Sequence, residues 1–359
     1  IKILEFLFEY GLFLAKCLTV LVSLIIVIVF VLGSTQRGQP SQQGELEVKN
    51  INEAVKEISQ SLTRAMLNPI QQKAHHKADK KRLKQEEKNR KKQLKRELED
   101  EAEASPASRV FVLEFDGDVQ ASAVDSLREE VSAVLSVANP DDEIIVKLES
   151  PGGVVHGYGL AASQLQRIKA KSIKLTVAVD KVAASGGYMM ACIADKIIAA
   201  PFALLGSIGV VAQIPNFHRF LKNKEVDVEV LTAGEYKRTL TLFGENTESG
   251  KQKFIEELED VHALFKEFVS ENRPQVQIEE VSTGEAWYGK RALEVMLVDE
   301  LMTSDEYIID KCEDCEVFSV QYNQALNRWQ KIFKKMQVLK SQWHTPVQHL
   351  AKLPDSQIR

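Results

Sequence analysis

Three short glycine-bearing turns carry the residues most able to do chemistry. They are Glu149-Ser150-Pro151-Gly152-Gly153, Ala183-Ala184-Ser185-Gly186-Gly187-Tyr188 and Gly206-Ser207-Ile208-Gly209. Each alone reads as an ordinary turn, and a serine that opens a helix is more often an N-cap than a nucleophile. Together they suggest acyl transfer. Ser185 follows a strand and opens a helix, so its hydroxyl can face a cleft. The N–H of Gly186, with one from Gly152 or Gly153, would hold a developing oxyanion, where fixed donors matter most. The helix dipole would add positive potential at the same place.

A serine nucleophile needs a base. His156 is the histidine nearest the glycine turns, and Ser185–His156–Asp180 is one arrangement. His218 and His262 are expected on helix surfaces. A lysine is the other option, provided burial lowers its pKa enough to leave a neutral amine. Lys237 lies in a partly apolar stretch, Gly234 to Leu242, and Lys181 precedes the serine by four residues.

The elements that would position these groups alternate. Strands are expected at Val110–Phe115, Glu143–Leu148, Ile173–Val179, Lys196–Ala200, Ile208–Val211 and Val226–Leu231. Helices are expected at Ser122–Val137, Gly157–Ile168 and Glu248–Glu271. Strands alternating with helices indicate an α/β fold with largely parallel pairing.

The 359 residues allow one sizeable domain with appendages. A net charge of −5 argues against a dedicated nucleic-acid binder. From Tyr10 to Leu32 the chain is almost wholly apolar, with Lys16 the one charge, and no small-residue cleavage site follows. That predicts an uncleaved transmembrane anchor. Residues 33–107 read as a basic, helical or disordered stalk, with Lys and Arg dominating from Lys73 to Arg96. Attraction of that run to anionic lipid is the functional alternative. The expected divisions are an anchor at 1–32, a stalk at 33–107, a catalytic domain at 108–303 and a C-terminal extension at 304–359. The extension carries a basic amphipathic helix around Trp329, Phe333 and Met336, suited to packing on a protein or a membrane interface. Of four cysteines, Cys17 and Cys192 sit in apolar runs. Cys312 and Cys315 lack two further zinc ligands nearby, which leaves surface thiols or a disulfide.

In this light the stretch from about Val110 to Glu300 resembles the signal peptide peptidase A (SppA) family of Ser–Lys peptidases, closest to its SohB branch. The resemblance rests on SPGG at 150–153, ASGGY at 184–188, GSIGV at 206–210 and TAGEYKR at 232–238, in that order and spacing. It implies a ClpP/crotonase-like spiral of repeated β-β-α units. It also implies Ser185 as nucleophile, Lys237 as base, Ser207 orienting the lysine, and Gly186 with Gly153 or Gly152 as oxyanion hole. No metal or organic cofactor is implied. The implied partners are peptide or protein substrates, signal-peptide remnants and hydrophobic or misfolded membrane-associated chains among them, and further copies of this chain, with the dyad shared between neighbours. The implied location is the bacterial inner membrane, crossed once, with the peptidase domain periplasmic. The rival readings are a crotonase-like acyl-thioester enzyme, which needs the glycine N–H groups but no serine, and a catalytically silent membrane scaffold.

Overall fold

A computed structural model describes residues 10–24, 44–67, 85, 88 and 108–324. The chain divides into two units, residues 46–323 and the two flanks, 1–45 with 324–359. In the flanking unit residues 10–24 form a helix, α1. Among the described residues no helix is long and apolar enough to cross a membrane. The rest of the expected anchor, most of the basic run and the amphipathic tail lie outside the described residues.

The larger unit is built on a seven-stranded sheet in the order β1-β10-β2-β3-β4-β6-β9. Its strands are β1 (Glu45–Asn50), β2 (Arg109–Asp116), β3 (Glu143–Glu149), β4 (Lys174–Val179), β6 (Lys196–Ala199), β9 (Glu300–Leu301) and β10 (Glu316–Asn323). From β10 through β2, β3, β4 and β6 to β9 every pairing is parallel. The central strands are apolar on both faces. Phe111, Leu113, Ile144, Val146 and Val177 point into the main core, while Val110, Val112, Ile145, Ala178 and Ile198 point into a second cluster with Tyr307 and Ile308. This is the pattern expected of a parallel sheet covered on two sides. Helices α3 (Val124–Leu135) and α4 (Val155–Lys169) cover the first face, and α10 (Ser304–Asp314) the second. On α4 the buried Tyr158, Ala161, Ala162, Leu165 and Ile168 follow helical spacing along one stripe.

A second, three-stranded sheet holds β5 (Val182–Ala184), β7 (Leu204–Gly206) and β8 (Ala286–Tyr288). Strand β5 pairs parallel with β7, and Ser150 forms an isolated parallel bridge to Ala183. Three successive main-sheet strands therefore each lead into a short step in this second layer: β3 into Ser150, β4 into β5 and β6 into β7. The three glycine turns occupy equivalent places in successive units and end up side by side.

Several expectations are corrected. Neither Ile208–Val211 nor Val226–Leu231 is a strand. Val211, Val228 and Leu231 are exposed, so β-branched and apolar propensity finds no partner strand to pack on. Glu45–Met66, assigned to the stalk, forms β1 and α2 (Ile51–Met66), and the compact unit begins at Leu46. Asn52 explains the attachment. Its Nδ2 donates to the carbonyls of Cys312 (3.0 Å) and Cys315 (2.9 Å), and its Oδ1 accepts from Val317 N–H at 2.8 Å. At the other end α10 and β10, assigned to the extension, belong to this unit, because β10 is an inner strand between β1 and β2. Thr303 caps α10 by accepting from Glu306 N–H. Cys312 and Cys315 are free, half-buried thiols packed against the second cluster, not a disulfide.

One buried charge makes stability depend on pH. Glu130 on α3 is 3% exposed; its Oε1 accepts from Tyr322 N–H at 2.8 Å, while its Oε2 has no hydrogen-bond partner. Burial, reinforced by the nearby Glu114, pushes the carboxyl up from 4.5 to about 6. The folded state therefore holds this proton more tightly than the unfolded chain. The resulting stabilisation is complete below about pH 4.5 and disappears as pH rises through about 6. Glu130→Gln is expected to raise unfolding free energy by roughly 2 kcal/mol at about pH 8 and to change it little at about pH 4.5. Denaturant unfolding at the two pH values tests this; an equal effect at both would contradict it.

Candidate active site

Ser185 sits between β5 and the short helix α5 (Gly186–Ala191). Its φ of 52° and ψ of −117° are those of the first central residue of a type II′ turn, normally a glycine position. Such backbone strain costs on the order of 1–3 kcal/mol in a non-glycine residue. The conformation is held by Ser185 N–H donating to Gly206 C=O at 2.7 Å and by Met189 N–H donating to Ser185 C=O at 2.9 Å. The Ser185 hydroxyl caps nothing, half-buried in a groove. With six residues, α5 has little dipole to offer; individual N–H groups supply the polarity.

The first glycine turn presses directly on Ser185. Gly152 has φ +87°, and a Cβ built there would lie 2.8 Å from Ser185 Cβ and 2.9 Å from Gly186 N. Ala184 N–H donates to Ser150 C=O at 3.0 Å, and Ser150 N–H to Val182 C=O at 2.8 Å. Of the two glycines that could supply the second oxyanion donor, Gly152 is already committed: its N–H donates to Ser150 Oγ at 3.1 Å. Gly153 is the one left. A Cβ there would come within 2.1 Å of Val119 C=O, so this close backbone approach demands glycine. Gly186, the first residue of α5, has no intrahelical acceptor for its N–H.

The groove around Ser185 is lined by residues from all three turns, Ser207 and Gly209 among them, and by Val261, His262 and Phe265 of the long helix α7 (Glu248–Asn272). Ser207 Oγ donates to Gly284 C=O at 3.3 Å. Lys237 is not among the groove-lining residues. It is exposed, on a segment without strand or helix between α6 (His218–Lys222) and α7. One chain thus brings Ser185, Gly153, Gly186 and Ser207 together, without Lys237.

His156, Asp180 and Lys181 all lie outside the groove lining. His156 is exposed. Asp180 accepts from Ser304 N–H at 2.8 Å and Ser304 Oγ at 2.5 Å, holding the start of α10, so the His156 triad is not assembled. Lys181 pairs with Glu149 at 2.8 Å, which raises its pKa and keeps it protonated, the wrong direction for a base. His262, expected on a helix surface, lies in the groove instead, its Nε2 buried and without a partner. Helical periodicity places His262 beside Val261 and Phe265 but gave no signal that this face of α7 meets the groove, whose other walls come from distant segments.

Residues 5–165 match the family described as Peptidase family S49 N-terminal, and residues 167–317 match Peptidase family S49. A probable protease SohB from Haemophilus influenzae is 54% identical over 313 residues, covering 87% of this chain and 88% of that protein. A probable protease SohB from Buchnera aphidicola subsp. Schlechtendalia chinensis is 46% identical over 308 residues, covering 86% of this chain and all of that protein. Among solved structures, the 1510-N membrane-bound stomatin-specific protease, a mutant in complex with a substrate peptide, aligns with a TM-score of 0.40 at 13% identity. That alignment covers 65% of this chain and 99% of the other. The chain belongs to peptidase family S49, as an SppA-family serine peptidase of the SohB branch.

Proposed function

We propose that this chain is a membrane-anchored endopeptidase in which Ser185 is the nucleophile and Lys237 the base, the lysine being delivered by a neighbouring copy. The observation that carries the nucleophile is the strained, uncommitted Ser185, next to Gly186 and in one groove with Gly153. In the reaction, the neutral Lys237 amine takes the Ser185 proton as Oγ attacks the peptide carbonyl. The oxyanion is held by Gly153 and Gly186 N–H. The Lys237 ammonium then protonates the leaving amine. Water hydrolyses the acyl-enzyme with Lys237 again as base. Ser207, in the same groove, would orient the amine by exchanging its 3.3 Å bond to Gly284 C=O for one to Lys237.

Delivery in trans is supported by the surface around Lys237. Leu231 and Tyr236, on the same segment, are exposed, with Leu231 90% accessible. Burying that segment against another copy would remove apolar area from water and carry Lys237 out of solvent. The β-β-α units support the ClpP/crotonase-like spiral. Val119, Val154, Met189, Val211, Val261 and Phe265 give the groove apolar walls, which suit hydrophobic peptides such as signal-peptide remnants. In α1 the apolar Phe13, Leu14, Leu18 and Leu21 are exposed, and the apolar sequence continues to Leu32, which supports a single membrane anchor; the resemblance to the family extends the proposal to an inner-membrane anchor and a periplasmic peptidase domain.

A serine-reactive phosphonate is expected to modify Ser185 in the intact protein and to react at least about tenfold more slowly with Lys237→Ala. Peptide mass mapping reads the site. Modification elsewhere would remove Ser185 from this role, and unchanged kinetics in Lys237→Ala would remove Lys237. A crotonase-like enzyme would leave the probe unreacted.

A further inference from the structure

We infer that Tyr158 is a positioning residue that sets both halves of the oxyanion site, through its hydroxyl on one side and its ring on the other. This inference rests on the serine peptidase reading of Ser185.

The hydroxyl side is a one-way chain of hydrogen bonds. Tyr158 OH donates to Asp118 C=O at 2.8 Å. A carbonyl cannot donate, so the single phenolic proton is used there. The 2.5 Å contact between Tyr158 OH and Ser150 Oγ must then be donated by Ser150. That leaves a Ser150 lone pair to accept from Gly152 N–H at 3.1 Å. The sequence runs Gly152 N–H to Ser150 to Tyr158 to Asp118 C=O, and neither hydroxyl is free to reverse. Ser150 and Tyr158 are both 0% exposed, so no water replaces a missing partner. Burial raises the Tyr158 pKa, and the phenol remains a donor at neutral pH. The chain fixes the Pro151–Gly152 peptide, just before the one that carries Gly153 N–H, and Val154 N–H donating to Val119 C=O at 2.9 Å anchors the backbone just after it.

The ring side touches the other donor. A Cβ built on Gly186 would lie 2.4 Å from Tyr158 Cγ, so the ring lies directly against the Gly186 backbone. The ring is itself wedged edge-on against Phe115, with centroids 6.3 Å apart. At Gly117 a Cβ would meet Tyr158 OH at 2.5 Å and Ser150 Oγ at 2.6 Å, so the end of β2 closes the hydroxyl end. The two proposed donors come from turns after different strands; Tyr158 on α4 packs against Gly186 directly and reaches the first turn through Ser150 Oγ. A shift of the phenol or ring would change the distance between them. Misplacement by about 1 Å is enough to cost on the order of 10²-fold in rate.

The test compares wild type, Tyr158→Phe, Ser150→Ala and Ser185→Ala in hydrolysis of a fluorogenic apolar peptide. Tyr158→Phe keeps the ring and breaks the relay. It is expected to lower kcat about 30- to 100-fold with KM changed less than about threefold. Ser150→Ala leaves the ring untouched and is expected to give the same split, which keeps the test open if Tyr158→Phe folds poorly. Affinity for a peptide aldehyde, which forms a tetrahedral adduct, should fall in parallel with kcat/KM across the series, as expected when oxyanion donors are misplaced. A kcat within about threefold of wild type in either folded variant, or unchanged aldehyde affinity, would overturn the inference. Activity retained in Ser185→Ala would instead refute the peptidase reading beneath it.

Discussion

Ser185→Ala is expected to leave less than about one ten-thousandth of the wild-type peptidase rate in a protein that folds normally. The Ser185 hydroxyl caps no helix, and the bond from Ser185 N–H to Gly206 C=O uses only backbone. Removing the oxygen therefore deletes the proposed nucleophile without deleting a structural contact. Ser185→Gly sharpens the point. Glycine adopts φ near +52° without penalty, so this variant should be equally inactive yet more stable, by about 1 kcal/mol or more. Fluorogenic peptide hydrolysis and thermal melting, measured on the same preparations, test both statements. A Ser185→Gly protein that melts below wild type would mean the backbone there is not strained. A Ser185→Ala protein with measurable turnover would mean the nucleophile lies elsewhere.

The second large effect comes from mixing. Ser185→Ala and Lys237→Ala are each expected to be inactive. If each site takes its serine from one copy and its lysine from the next, random co-assembly restores about a quarter of the sites. The two variants would be dissociated in detergent, mixed in equal amounts and reassembled, with activity followed over time. Recovery towards that fraction supports a dyad shared between copies. A mixture as inactive as its components would place serine and lysine in one chain, and the exposed Lys237 segment would then have to fold back over its own groove. The exposure of Leu231 and Tyr236 beside Lys237 favours the first outcome.

The central fold was readable because its strands are short runs of β-branched residues between helices with clear apolar spacing. β2, β3, β4 and β6 fall within a residue or two of their expected bounds. The steps at β5 and β7 were not readable. Three residues carry no period, and only the pairing of Val182–Ala184 with Leu204–Gly206, and of β7 with β8, makes them strands. Strand β1 was hidden for a different reason. ELEVKN shows little burial signal, and it is held by β10 and by Asn52, far away in sequence. At the site, residue types and spacing pointed to Ser185, Gly186 and either Gly152 or Gly153. They could not say that Gly152 N–H is taken by Ser150, because that depends on the rotamer of a buried hydroxyl. Nor could they bring His262 to the groove, since the glycine turns it shares the groove with lie more than fifty residues earlier in the chain.

The position of β10 has a consequence for biosynthesis. Every residue proposed for catalysis is made before residue 238, but β2 acquires its partner on one side only when residues 316–323 emerge. Until then a strand destined for the sheet interior shows an open edge, and β1 has no strand to pair with. Long-range parallel pairing of this kind forms slowly. A partly translated chain thus holds the chemical groups of a peptidase without the framework that orients them. Premature termination would leave an incompletely closed sheet, open to cellular quality control, in place of an unregulated hydrolase.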